Sequence, residues 1–389
     1  MKSRLFIMSV VLCAMAQALA EVKEQTSKDY ELKVQMSQAK QDELRANVKS
    51  IMDKTYTAVI AKWNSSAGTG FAGMPAGQEY QFQGSIGYKM ALSKPDGAKS
   101  DADVAFLYKY NGGDNQPTTA TLYAAKLKEL ARDVYRANLT TSYTYEIKNP
   151  VVAINVPSTP TQDHVDIAFF NELKTSATPP ANQCVLPPVT TMPCSQLSWG
   201  KTQSGPDPSS WVASDRLNLT ETLNREFDKR GTAEREVINR AGKIFKEWRF
   251  KQFGADEEKV PSLALVVLIY NLLQARAASA PVYTNTFTLL KDTLVRSATI
   301  NFNNNCANQP QNFQIPGITY PFTNLLTNLT TDQKQEFCNG LMSFKRAVEQ
   351  ATPTAVSDTD AVKILQPCFP PDPCFGPCSQ PPITRACGG

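Results

Sequence analysis

The sequence predicts an α+β fold: an N-terminal helix and an antiparallel β-hairpin region, followed by a mainly helical bundle with disulfides. Three observations lead there. Apolar residues recur at helical spacing over 44–63 and switch to strict alternation at Tyr80. Helical spacing returns after residue 214 and holds to about residue 350. All nine cysteines except Cys13 lie beyond residue 183, so the two halves use different means of stabilisation.

The chain opens with a leader. Lys2 and Arg4 precede an apolar run from Leu5 to Met15 that closes on Ala18, Leu19 and Ala20. This is the pattern of a secretory signal peptide with an A-x-A cleavage site, expected to occupy residues 1–20. A run of about eleven residues falls short of the ~20 that span a bilayer, so no transmembrane anchor is expected.

Residues 21–173 form a cysteine-free α+β region. Leu44, Val48, Ile51, Met52, Tyr56, Val59 and Trp63 line one stripe of a helix that starts near Ser37. Before it, Tyr30, Leu32, Val34 and Met36 alternate, so a short strand competes with an extension of the helix. In "EYQFQGSIGYKMALS" the residues Tyr80, Phe82, Ile86, Tyr88, Met90 and Leu92 all fall on even positions and predict a strand bent at Gly84 or Gly87. Val104, Phe106, Tyr108 and Tyr110 alternate after the turn-forming "KPDGAKSD", which completes a hairpin. Tyr123, Leu127, Leu130 and Val134 mark a second helix, and Tyr143, Tyr145 and Ile147 a further strand. An aromatic face of this kind can stack flat ligands, but two helices are available to cover it as core.

Residues 174–213 are rich in Pro, Ser and Thr and read as a linker, looped by Cys184 and Cys194. Residues 214–350 are the helical bundle. Leu217, Leu219, Leu223 and Phe227 begin one helix, which Gly231 stops. The next carries Val237, Ile238, Ala241, Ile244, Phe245 and Trp248 on one face. It also carries Arg240, Lys243, Lys246, Arg249 and Lys251, a basic set that binds membranes or polyanions in some helices and is more often a solvated face. "PSLALVVLIYNLL" is apolar on every side, as expected of a buried central helix. Two further helices are expected near 285–298 and 331–350. A bridge from Cys306 to Cys338 would pin the intervening loop to the last of them.

Residues 351–389 are a Cys- and Pro-rich tail with Cys368, Cys374, Cys378 and Cys387, expected to be an extended strap held by covalent bonds. Eight cysteines left after the leader read as four disulfides in an exported chain. The tail closes as an intramolecular clasp or, through disulfide-linked self-association, acts as a crosslinker.

Chemistry is harder to find. The single histidine, His164, limits His-based catalysis and zinc sites. It has Asp163 and Asp166 beside it, a set that could ligate a metal or poise a base, or that is simply a polar loop entering an apolar segment. No Walker loop, G-x-S-x-G or dinucleotide glycine pattern occurs. No catalytic residue, metal ligand or cofactor is therefore assigned. Loss of Lys2 and Arg4 with the leader lowers the formal charge from +4 to +2, which makes no case for nucleic acid as a partner. Four N-x-[ST] sequons stand at Asn64, Asn138, Asn218 and Asn328. Together these features lead to the expectation of a secreted, disulfide-stabilised, glycosylated structural or binding protein of an extracellular material, not an enzyme, that contacts an extracellular protein or glycan. The alternatives are a secreted carboxylate-based hydrolase and a carrier of an apolar ligand.

Overall fold

The computed structural model describes residues 24–67, 70–92, 100–110, 123–157, 163–172, 195–198, 211–214, 216–253, 260–316, 324–353 and 356–369. The chain divides into two units. One is built from Met36–Thr222 and Ile318–Thr323, the other from Met1–Gln35, Leu223–Gly317 and Asn324–Gly389.

Helix α1 covers 24–34, which settles the open boundary around Tyr30 in favour of helix. Helix α2 (Gln38–Ala67) follows, and every residue of its expected stripe is buried. Strands β1 (Phe71–Gly73) and β2 (Tyr80–Phe82) are short. The expected strand through Leu92 does not form. Gly84 adopts a left-handed φ of +55°, and the chain turns there into the single-turn helix α3 (Gly84–Gly87), which takes Ile86 off the sheet. The hairpin survives in reduced form, because β2 pairs antiparallel with β3 (Asp101–Tyr110), Tyr80 opposite Phe106 and Phe82 opposite Val104.

Helix α4 (Ala124–Asn138), β4 (Thr144–Ile147), β5 (Val151–Val156) and β6 (Asp163–Glu172) complete the middle of this unit. β6 runs parallel to β3 and antiparallel to β5, giving the order β1-β3-β6-β5-β4. Residues read as a linker contribute β7 (Ser195–Ser198) and β8 (Trp211–Ser214), which extend the sheet from β6. Pro-rich chain can add short strands at this place because β7 needs only three paired residues on β6.

Alternation sorts the side chains of β3 and β6. Val104, Phe106, Tyr108, Val165, Ile167 and Phe169 face α2 and α4 in one large core. Ala105, Leu107, Ala168 and Phe170 face the other way and make a small cluster with Met74 and Leu197. That second face is apolar only along the later half of each strand.

The second unit is helical in its described residues: α1, the later part of α5 (Arg216–Asp228), α6 (Thr232–Phe253), α7 (Ser262–Ala275), α8 (Thr286–Phe302), α9 (Thr331–Ala351) and α10 (Asp358–Leu365). With helices from 8 to 22 residues long it is not a regular bundle. α7 is apolar all round because Ala264 to Ile269 are all buried. Trp248 stacks on Phe344 at 5.3 Å between ring centroids, tying α6 to α9. The basic set on α6 is solvated only in part, with Lys251 exposed and Lys246 half-buried. Arg240 and Lys243 are buried and reach Glu31 at 2.8 and 2.6 Å, Arg240 also pairs with Glu24, and Arg249 donates to the Val260 carbonyl. Desolvation of these cations is offset by carboxylates that α1 supplies.

Cys306 and Cys338 are disulfide-bonded, and buried Cys368 is also in a disulfide. Cys184, Cys194, Cys374, Cys378, Cys387 and the leader lie outside the described residues. Among the described residues no helix is long and apolar enough to cross a membrane.

Glu247 on α6 yields a stability prediction. It is buried, and desolvation pushes its carboxyl up to about 7 against an ordinary 4.5. The folded state then holds a proton that the unfolded state has released. Its contribution is complete below about pH 4.5 and is lost as pH rises through about 7, on the order of 3 kcal/mol over the window. Glu247→Gln should raise the urea midpoint at pH 8 relative to the parent and leave the two close together at pH 5. An equal shift at both pH values would show that the charge is not the cause.

Candidate active site

Three aspartates stand on the polar half of the sheet's second face. On β3, Asp101 and Asp103 precede Ala105 and Leu107 on the same side. On β6, Asp166 precedes Ala168 and Phe170 on that side. The parallel register sets Asp103 directly opposite Asp166 and Asp101 opposite His164, on strands about 4.8 Å apart. The side chains of Asp166 and His164 are 22% and 18% exposed, and Asp103 is exposed, so a ligand can reach this face at Asp103.

The turn between β2 and α3 closes on Asp103. The Gln83 amide N–H donates to the Asp103 carbonyl at 2.8 Å, which fixes the turn into α3 against β3. Gly84 stands there with a positive φ, and a Cβ at this position would collide with the Asp103 carboxylate. Backbone and carboxylate thus approach in a way that only glycine permits. Ser85 follows at the start of α3.

Alternation separates the three residues that the sequence groups around His164. Asp163 points to the opposite side, is fully buried, and pairs with Lys40 of α2 at 2.5 Å. It fastens the helix layer to the sheet. Asp166 and His164 share the open face, with His164 Nε2 3.9 Å from Asp166 Oδ2. The group is a strand start, not a polar loop. Sequence reading missed Gly84, Ser85, Asp101 and Asp103. The available signal was a Gly-Ser followed by D-x-D at the head of a β-branched and aromatic strand, since carboxylates at i and i+2 of a strand share a face.

Hard divalent cations such as magnesium take oxygen ligands, and this donor set of co-facial carboxylates beside a glycine cradle fits one. Among the described residues no three or more His, Cys, Asp and Glu side chains close around a common point. Magnesium does not need such a cage, because it commonly keeps waters and substrate phosphates as ligands beside one or two carboxylates.

No family model and no curated protein matches the chain. Solved structures do. The E. coli MS115-1 protein CdnC with ATP superposes with a TM-score of 0.59 at 15% identity, over 92% of this chain and 99% of that one. Vibrio cholerae di-nucleotide cyclase DncV, in complex with GTP and 5MTHFGLU2, gives 0.61 at 14%, over 89% and 95%. DncV with the linear intermediate 5′ pppA(3′,5′)pG gives 0.59 at 14% with the same coverage. The fold is that of CdnC and of the di-nucleotide cyclase DncV.

This likeness overturns the expected role. A fold shared over nearly the whole chain with CdnC and DncV replaces the reading as a secreted, glycosylated structural or binding protein of an extracellular material, together with the hydrolase and carrier alternatives. The expected extracellular protein or glycan partner falls with it, and so does the exclusion of nucleic-acid chemistry. The physical reason is that charge balance and histidine count do not bear on a candidate site made of carboxylates and a glycine. Of the sequon residues, Asn64 exchanges two hydrogen bonds with the Phe71 backbone at 2.9 Å, and Asn138 donates to the Val134 carbonyl at 2.8 Å. Asn328 is exposed in a turn, and the side chain of Asn218 lies outside the described residues.

Proposed function

We propose that this protein is a nucleotidyltransferase that joins nucleotides from nucleoside triphosphates, with Asp101, Asp103 and Asp166 as its working carboxylates. The observation that carries this reading is the register of Asp103 on Asp166 with Gly84 set against Asp103. Asp101 and Asp103 would hold magnesium, which when bound neutralises phosphate charge and polarises the phosphoryl group. Gly84 and Ser85 stand beside Asp103, where a triphosphate bound to the metal would run, and the bare glycine lets the Asp103 carboxylate pack against the turn. Asp166 stands across from Asp103, placed to accept the proton of an attacking sugar hydroxyl. As that oxygen bonds to the α-phosphorus, the bond from phosphorus to the bridging oxygen of the β-phosphate breaks. Pyrophosphate leaves with the electron pair.

The finer reading, a di-nucleotide product, is supported by the fold of DncV and CdnC, whose structures hold GTP, ATP and a linear dinucleotide. The test is incubation of the purified chain with α-labelled ATP, GTP, CTP and UTP, singly and in pairs, with magnesium or manganese. Pyrophosphate release and a labelled product that resists phosphatase are expected. Failure to release pyrophosphate from any combination, with no triphosphate binding by calorimetry, would sink the proposal.

A further inference from the structure

The polar face holds one more group that the carboxylate chemistry does not use. Gln83 immediately precedes Gly84, and it is 8% exposed with no protein partner for its Nε2. Its direction follows from pairing. Tyr80 and Phe82 pack against the large core on the helix side, so the odd positions of β2 and the residue after it turn the other way. Phe82 pairs with Val104, which puts Gln83 opposite Asp103, and residues opposite one another in an antiparallel pair share a face. The Gln83 amide therefore lies on the carboxylate face, beside Asp103 and one residue from the glycine cradle.

A buried amide donor without a partner is disfavoured in a folded protein, and such groups are uncommon. An apolar residue of the same length would fit the site and spare that desolvation. We infer that Gln83 is a substrate-binding residue, whose Nε2 donates to a non-bridging phosphoryl oxygen of the nucleoside triphosphate held over Gly84 and Ser85. This rests on the nucleotidyltransferase reading and adds a residue to it. The chemistry suits the place. A neutral donor holds an anionic oxygen without competing with Asp101 and Asp103 for a cation, as a lysine or arginine there would. A hydrogen bond to a charged acceptor is also stronger than one between neutral groups.

Gln83→Met separates this role from a structural one, because the two move stability in opposite directions. If Nε2 is held for substrate, the methionine variant without nucleotide should melt about 2 °C or more above the parent, since the orphaned donor is gone. The same variant should bind a non-hydrolysable ATP analogue with magnesium about tenfold or more weakly, with KM rising more than kcat falls. Gln83→Glu keeps the shape and replaces the donor with a negative charge, and should weaken binding further. A Gln83→Met variant that melts lower than the parent would make Gln83 a structural residue and overturn the inference. So would parent-like affinity in a stably folded variant. If the parent binds no triphosphate at all, the nucleotidyltransferase reading fails as well, whereas parent binding with unchanged variant binding removes only the role of Gln83.

Discussion

Asp103→Asn is expected to reduce nucleotidyl transfer about 10^3-fold or more, equivalent to about 4 kcal/mol of transition-state stabilisation. The substitution keeps the shape of the side chain and removes its charge. Asp103 is exposed, asparagine fills the same space beside Gly84, and the Gln83 N–H bonds the Asp103 backbone carbonyl, which the change leaves in place. Chemistry and fold should therefore part company. The variant should melt within a few degrees of the parent, release almost no pyrophosphate, and bind magnesium-dependent ATP analogue more weakly. Asparagine is a poorer ligand for a hard cation, so the cation that draws in the phosphates would be held less tightly. Turnover within about threefold of the parent would remove Asp103 from the site, and with it the proposed triad.

Trp63→Ala should produce the largest loss of stability, about 4 kcal/mol. Trp63 is fully buried on α2 at the centre of the large core. Its ring meets Phe71, Phe106, Tyr108 and Phe169 at 5.2, 5.6, 5.0 and 5.5 Å between centroids. Its Nε1 donates to the Leu127 carbonyl of α4 at 3.0 Å. Truncation removes the edge-to-face contacts, opens a cavity and leaves a buried carbonyl short of a donor. Phe106 and Phe169 belong to β3 and β6, the strands that carry the aspartates on their other face. A loosened core should therefore lower turnover of the variant even below its melting temperature. Urea unfolding measures the stability, and a change under about 1 kcal/mol would mean that the core does not depend on this ring.

Much of the helical layer was legible residue by residue. Leu44 to Trp63 read as one buried stripe, and all seven residues are buried. The segments at Ala124–Asn138, Arg216–Asp228, Thr232–Phe253 and Thr331–Ala351 are helices where apolar spacing and cap residues put them. In these elements neighbours within three or four positions set the pattern, so local sequence carries the signal. The segment 80–92 shows where that fails. Its even-numbered apolar residues fit a strand, but Gly84 takes a left-handed turn to meet Asp103, and Ile86 is buried from a helix instead. The partner that decides this, β3, lies in another segment of chain.

What the sequence determined by itself is the set of amphipathic elements and the concentration of cysteines in the later part of the chain. What only the tertiary structure decided is the site. Asp101 and Asp103 are separated from Asp166 by more than sixty positions, and no spacing rule links them. The parallel pairing of β3 with β6 brings them opposite one another, and strand alternation sends Asp166 to the open face while Asp163 goes to a buried ion pair with Lys40. Register is a property of two strands together, and a shift of one residue would exchange the two faces. For that reason a carboxylate site on a sheet is invisible in either strand alone and plain once they are paired.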